Sequence, residues 1–238
     1  MEKTSKVVLL TGASGGLGTQ MANHLYKSGY TLALHCHLSE IEIPESEKVQ
    51  HFQADLGNPD EISAMVDAIV AVFGRLDVLI NNAGVSRNGV SWKADIEDWD
   101  ETIAVNLTAP FLMGKYCIPH MRKNNWGRII NITSVVAQTG FIGTAAYAAS
   151  KAGLLGLTKT WSKELAAFGI SANNLALGYF NTGMIDEVPA DIQKEIIDAI
   201  PLKKLGDPSS INTALDYILE ENSLYFTGQT LNLNGGMY

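Results

Sequence analysis

A chain of 238 residues, 18% charged and 46% hydrophobic, has the balance of one globular domain that can bury a sheet between two helical layers. Its net charge of -8 argues against nucleic acid and anionic membranes as partners, because phosphate binding needs clustered Lys and Arg. No apolar run reaches spanning length, Val7 to Leu10 is too short for a signal-peptide core, and Cys36 and Cys117 make neither a CxxC nor a disulfide framework, so a soluble, cytoplasmic protein is expected.

Short apolar runs alternate with longer amphipathic segments, the pattern of βαβ units around a parallel sheet. Lys6 to Leu10 reads as the first strand and Leu17 to Ser28 as a helix after a glycine-rich turn. Tyr30 to Cys36 and Val49 to Gln53 are the next two strands. Between them, His37 to Lys48 holds Glu40, Glu42, Pro44, Glu45 and Glu47 without helical period. This reads as an irregular solvated crossover, with an acidic docking loop as the alternative. Asn58-Pro59 reads as an N-cap and first helical residue, opening a helix to Phe73. Asp77 to Ile80 is the fourth strand, one long helix covers Asp98 to Lys123, and Arg128 to Ile132 is the fifth strand. Then come a helix from Ala146 to Phe168, a strand from Ile170 to Ala176, a helix from Asp207-Pro208 to Glu221 and a last strand, Thr230 to Leu233. Right-handed crossovers wind these into one α/β domain over residues 1–238, a Rossmann-type doubly wound parallel sheet with helices on both faces (three-layer αβα).

Two motifs carry chemistry. Thr11-Gly12-Ala13-Ser14-Gly15-Gly16-Leu17-Gly18 follows a strand and opens a helix, the context of a phosphate site. Its glycines permit a tight turn and close approach of backbone to pyrophosphate, while the helix start offers oriented N–H donors. A glycine-rich turn with no ligand is the plain alternative. Tyr147-Ala148-Ala149-Ser150-Lys151 places a phenol and an ammonium one helical turn apart on the same face. The cation beside the phenol oxygen is expected to lower its pKa from about 10 and ready it for proton exchange.

The T-G-x-x-x-G-x-G spacing, Asn81-Asn82-Ala83-Gly84 after the fourth strand, Ser134 after the fifth, and the Tyr147/Lys151 pair together resemble the short-chain dehydrogenase/reductase family, from about Lys6 to Tyr238. The ending, from Phe226-Thr227-Gly228 through Asn234-Gly235-Gly236-Met237-Tyr238, is most similar to the family's 3-oxoacyl-thioester reductases. The resemblance implies that Tyr147 is the general acid/base and that Lys151 lowers its pKa and bonds the nicotinamide ribose. Ser134 would orient the substrate oxygen and Asn106 would support a water-linked proton relay. Gly12, Ser14, Gly16, Leu17, Gly18, His37 and Leu56 would contact the cofactor, and Asp55 would meet its adenine. Asn82, Ala83 and Gly84 would border the adenosine and ribose pocket, and Thr182 would approach the nicotinamide carboxamide. Leu177-Gly178 stands where relatives commonly have Pro-Gly, which leaves that end of the site less rigid. Asn106 as a residue that bends a helix, and Ser134 as an ordinary loop serine, are the alternatives.

The end of the second strand, Leu34-His35-Cys36-His37, lacks the carboxylate that would bind an NAD ribose, so NADP is expected and NAD stays possible. Gly15 stands where NADP-preferring relatives often carry Arg, leaving Ser14 and His37 as substitutes. Metal binding by His35-Cys36-His37 is set aside, because strand alternation turns Cys36 away from both histidines. Gly183 to Leu202, with Met184, Ile185, Val188 and Ile192, reads as a lid over an apolar substrate or equally as a surface helix packing its apolar face. Asn125 and Phe168 replace basic residues with which relatives dock acyl carrier protein. That weakens this partner, although Arg122, Lys123, Arg128 and Lys163 lie close in sequence. The expected activity is NADPH-dependent reduction of a ketone, a 3-oxoacyl thioester on carrier protein or CoA, by a homotetramer joined through the helices of 98–123 and 146–168. An NAD-dependent dehydrogenase of a small secondary alcohol and a non-catalytic dinucleotide sensor are the rivals.

Overall fold

The computed structural model describes residues 6–238. Seven strands form one parallel sheet: β1 (Val7–Leu10), β2 (Thr31–Cys36), β3 (Val49–Gln53), β4 (Val78–Asn81), β5 (Gly127–Ser134), β6 (Ile170–Leu177) and β7 (Thr230–Leu233). Their order is β3-β2-β1-β4-β5-β6-β7. The strand sequence runs outward in opposite directions from β1 and β4, so the crevice beyond their carboxyl ends is where such a sheet takes a ligand. Register is fixed by apolar alternation. Val8 and Leu10 pack on one face with Met21 and Leu25 of α1 (Gly16–Lys27) and Ile211, Leu215 and Ile218 of α8 (Ser209–Leu219). Val7 and Leu9 pack on the other with Ile62 and Ile69 of α2 (Pro59–Phe73), Met113 and Cys117 of α4 (Ala109–Lys123), and Trp161 of α6 (Ala145–Leu165). With both faces covered, the central strands are buried throughout, which explains their unbroken apolar runs.

Local signals set several boundaries. Asn58 Oδ1 accepts from the Asp60 N–H at 3.1 Å, Pro59 fills the first helical position, and Gly74 closes α2 at φ +72°. The segment after β2 forms no helix, and Ser46 pairs with Val49 in a short antiparallel bridge that leads into β3.

Two expectations need correction. The single helix over 98–123 is instead α3 (Ile96–Ile103), a π-helical turn at Ala104–Thr108, and α4. Pro110 has no N–H to give the carbonyl four residues back, so the ladder slips one residue and the Ala109 N–H reaches the Ala104 carbonyl. The helix expected to reach Glu221 stops at Leu219, and a 3₁₀ turn, Glu221–Tyr225, follows. The segment 183–202 is a 3₁₀ turn, Met184–Glu187, and α7 (Ala190–Ala199). Ile185, Ile196 and Ile200 pack together against Tyr179, Val188, Leu205 and Met237, while Ile192 stays open to the crevice. The packed-helix reading describes the side turned to this cluster, and Val188 and Ile192 line the crevice. The Met184 side chain lies outside the described residues.

Candidate active site

The tight turn after β1 owes its shape to side chains it lacks. Gly12 has φ +65°, and a Cβ there would stand 2.9 Å from the Ala83 Cα. A Cβ on Gly18 would lie 1.9 Å from the Gly12 carbonyl oxygen, so α1 starts against the turn itself. The N-cap is Gly15, no side chain caps the helix, and its first turn holds no acid. Its opening N–H groups and the positive end of its dipole face the crevice, as an anionic phosphate requires.

That crevice is one cleft of about 1560 Å³. Gly12, Ser14, Gly16, Leu17, Gly18, His37, Asp55, Leu56, Asn82, Ala83, Gly84, Ser134, Tyr147, Lys151 and Thr182 all line it. Fifteen of the sixteen sequence-named residues therefore converge on one space. Thr182 stands against Gly16, where a Cβ would meet its Oγ1 at 2.7 Å, so the chain entering segment 183–202 packs on the glycine turn. The Asn82 amide donates to the carbonyls of Thr11 (2.9 Å) and Gly12 (3.0 Å), tying β4 to the turn. The Asp55 carboxylate accepts from the Gly57 N–H at 2.8 Å, which shapes the loop after β3.

Asn106 is the exception: it is fully buried behind the cleft wall. Its Oδ1 accepts from the Val85 N–H at 2.9 Å, and its Nδ2 donates to the Val85 carbonyl at 2.8 Å and to Ser150 Oγ at 3.2 Å. These bonds hold the π-helical turn to the chain after Gly84. A Cβ on Gly84 would press on Asn106 Oδ1 (3.2 Å) and Lys151 Nζ (3.3 Å), so a larger residue there would push against both side chains.

Ser134 and Tyr147 share the cleft wall, and the Ser134 Oγ accepts from the Val136 N–H at 3.2 Å while its hydroxyl lies near enough to the Tyr147 phenol to favour the phenolate. Burial pushes the phenol pKa above its ordinary value, the Ser134 hydroxyl pulls it back, and Tyr179 nearby pushes it up. Lys151 is fully buried, and burial holds its ammonium down to about 8. The ammonium donates to the Ile132 carbonyl at 2.9 Å and lies 5.7 Å from the Tyr147 ring centre. The expected lowering of Tyr147 by Lys151 is therefore not what governs the phenol in this arrangement. A buried ammonium takes the nearest strong acceptor, here a strand carbonyl.

Several participants escaped the sequence reading. His35 Nδ1 accepts from the Gly12 N–H and its Nε2 meets the Ala54 carbonyl, so it is a buried strut under the turn. A polar residue in the apolar run Thr31–Cys36 was the available signal. Ser150 accepts from Asn106 and donates to the Tyr147 carbonyl at 2.7 Å from within the Tyr/Lys spacing itself. Tyr179, directly after Leu177-Gly178, lines the cleft. Cys36 is half-buried and His37 exposed, and among the described residues no group of three or more His, Cys, Asp or Glu is placed to hold a metal. Arg128 is unable to replace the missing docking charges, since its guanidinium is buried on the carbonyls of Gly127, Gly169, Glu220 and Glu221. Arg122 is exposed and stacks over the Phe168 ring at 4.1 Å.

Comparison with known proteins agrees with this geometry. A family model described as short chain dehydrogenase matches residues 6–193. Nodulation protein G of Azospirillum brasilense is 39% identical over 243 residues, covering 98% of each chain. The 3-oxoacyl-(acyl-carrier-protein) reductase FabG of Staphylococcus aureus is 36% identical over 244 residues, covering 99% of each. Nodulation protein G of Rhizobium sp. is also 36% identical, over 240 residues, with 99% of this chain and 98% of that protein covered.

Proposed function

The chain belongs to the short-chain dehydrogenase family and is an NAD(P)-dependent oxidoreductase, and from that premise we propose that it uses NADPH to reduce the ketone of a 3-oxoacyl thioester to the 3-hydroxy product. One observation carries the reading: an uncapped helix start and the Ser134, Tyr147 and Lys151 side chains share a single cleft of about 1560 Å³. That space exceeds the roughly 300–1000 Å³ of an ordinary single-ligand pocket, leaving room for a dinucleotide and a second molecule.

Gly12, Ser14 and the first turn of α1, from Gly16 through Gly18, would hold the pyrophosphate. Asp55 and Leu56 would border the adenine, Asn82 to Gly84 the ribose and adenosine pocket, and Thr182 the nicotinamide carboxamide. Bound NADPH supplies the hydride. Ser134 and Tyr147 hold the carbonyl oxygen, and Tyr147 gives it a proton as charge develops there. A phenol kept protonated by burial suits the donor role in the reductive direction. Ser134, on the same cleft wall, stabilises the oxygen left behind. Lys151 spends one of its three N–H groups on Ile132, and the others serve a ribose hydroxyl. Asn106 acts as a brace, through Val85 and Ser150, for the wall that carries these groups.

The end of β2 supports NADPH over NADH. His37, Leu38 and Ser39 line the cleft there, and none repels a 2′-phosphate. The relative from Staphylococcus aureus is named for acyl carrier protein substrates. Exposed Arg122, Lys123 and Lys163 supply positive charge near Asn125 and Phe168 for such a carrier. A homotetramer joined through α4 and α6 follows the family pattern, and sedimentation as a monomer would refute it. Among the described residues no helix is long and apolar enough to cross a membrane; the cytoplasm is the proposed location. Steady-state NADPH oxidation over acetoacetyl-CoA, a carrier-bound 3-oxoacyl chain and simple ketones tests the reading. Faster turnover of either thioester than of the ketones supports it; no turnover of any of them overturns it.

A further inference from the structure

The chain leaving β6 is anchored unusually well for a stretch that borders a cleft. The Gly178 N–H donates to the Leu233 carbonyl at 2.8 Å, and the Tyr179 carbonyl accepts from the Gly206 N–H at 2.8 Å. Phe180 pairs with Gly206 in a short parallel bridge, and the Asn181 N–H returns to the Gly206 carbonyl at 3.0 Å. A Cβ on Gly178 would stand 2.8 Å from the Asn234 Cα, so the backbone runs tight against the segment after β7. Tyr179 is thus a side chain on a fixed root.

Its ring packs against Ile185, Ile196 and Ile200, and the half-buried residue lines the cleft that Ser134 and Tyr147 also line. Burial pushes its pKa above the ordinary value, so its hydroxyl is a neutral donor at any physiological pH. Ionised Tyr179 would raise the pKa of Tyr147, and both residues line the same cleft. Yet among the described residues no group bonds the Tyr179 hydroxyl. A partly dehydrated phenol normally finds a partner, and here the open side is the cleft.

Ser134 and Tyr147 already account for the oxygen of the reacting ketone. A third hydroxyl beside them has no task on a simple ketone, whose remaining atoms are apolar. It has one on a substrate with a second acceptor close to the first. We propose that Tyr179 is a specificity-determining residue whose hydroxyl donates a hydrogen bond to the second carbonyl of a 1,3-dicarbonyl substrate, the thioester oxygen two carbons from the ketone. The inference rests on the carbonyl-reduction reading above and assigns the substrate class within it. Val188 and Ile192, which line the same cleft, then take the apolar chain on the far side of the ketone.

The test compares wild type with Tyr179→Phe, which removes one unpartnered oxygen and keeps the packed ring. Each is assayed with NADPH on acetoacetyl-CoA and on a methyl ketone of similar length without the thioester, and the ratio of the two kcat/KM values is read. The ratio is expected to fall about tenfold in the variant, the worth of one net hydrogen bond to a buried partner, mainly through KM. An unchanged ratio with an active wild type overturns the Tyr179 assignment alone. A wild type that reduces only the methyl ketone also overturns it, while the carbonyl-reduction mechanism survives. A wild type that reduces neither overturns both.

Discussion

His35 Nδ1 accepts the backbone N–H of Gly12 at 3.1 Å, while Nε2 of the same ring meets the Ala54 carbonyl at 3.0 Å. An N–H only donates and a carbonyl only accepts, so the ring is neutral with its proton on Nε2. Burial, with a smaller contribution from His37, holds its pKa below the ordinary value. The folded protein therefore binds fewer protons here than the unfolded chain. The stability His35 contributes is present above its unfolded pKa of about 6.5 and is lost as pH falls below it. Protonation also turns Nδ1 into a donor facing the Gly12 N–H, at the turn proposed to carry the pyrophosphate. NADPH affinity is expected to weaken severalfold between pH 7.5 and 5. His35→Asn, which keeps an acceptor without a titrating group, should flatten that slope in a fluorescence titration. An equal slope in the variant would assign the pH dependence to another group.

Tyr147→Phe removes the proton donor and leaves the ring that borders the cleft. Turnover should fall by roughly 10²–10⁴-fold, the usual contribution of a general acid, while NADPH affinity changes little. Steady-state rates alongside a cofactor titration check both halves. Turnover near the wild-type rate would refute the mechanism.

The glycine turn separates two kinds of glycine. Gly15 has φ -79°, and a Cβ there meets only the Gly12 carbonyl oxygen at 3.7 Å, an ordinary contact. Gly15→Arg should fold normally and add a cation beside the expected 2′-phosphate. The NADPH-to-NADH ratio of kcat/KM is then expected to rise about tenfold, the order of one charge-assisted hydrogen bond. Gly18→Ala puts a carbon 1.9 Å from the Gly12 carbonyl oxygen and should abolish cofactor binding and lower Tm. An unaltered cofactor ratio in the first variant would place the 2′-phosphate away from Gly15.

A chain of buried side-chain hydrogen bonds crosses four strands under α6. Asn81 donates to Asn131 (2.8 Å), Asn131 to Thr158 (2.8 Å), Thr158 to Asn174 (2.7 Å), and Asn174 to Thr230 (3.1 Å). Thr158→Val keeps the shape and orphans the Asn131 amide and the Asn174 oxygen. Each orphan costs about 1–3 kcal/mol, so Tm should drop by roughly 4–24 °C at this chain length. Thr158→Ser should recover most of it. Calorimetric melting of the three proteins decides the matter, and a Val variant as stable as wild type would mean that the network contributes no net stability.

The path of the sheet and the identity of the cleft residues were legible in the sequence because both rest on local rules. Buried parallel strands demand apolar runs such as Val7–Leu10, Asn58-Pro59 writes its own helix start, and the spacing of Gly12, Gly16 and Gly18 encodes a turn that tolerates no side chain. What each polar atom is bonded to was decided elsewhere. Asn106 belongs to a π-helical turn whose partner, Val85, lies 21 residues away, and His35 gains its role from Gly12 and Ala54 on two other strand ends. Lys151 stands one turn from Tyr147 as the spacing requires, yet burial commits its ammonium to the Ile132 carbonyl on β5. Periodicity fixes which face a residue occupies. The partner that a dehydrated charge or amide takes on that face is set by whichever strand or loop the packing brings within 3 Å.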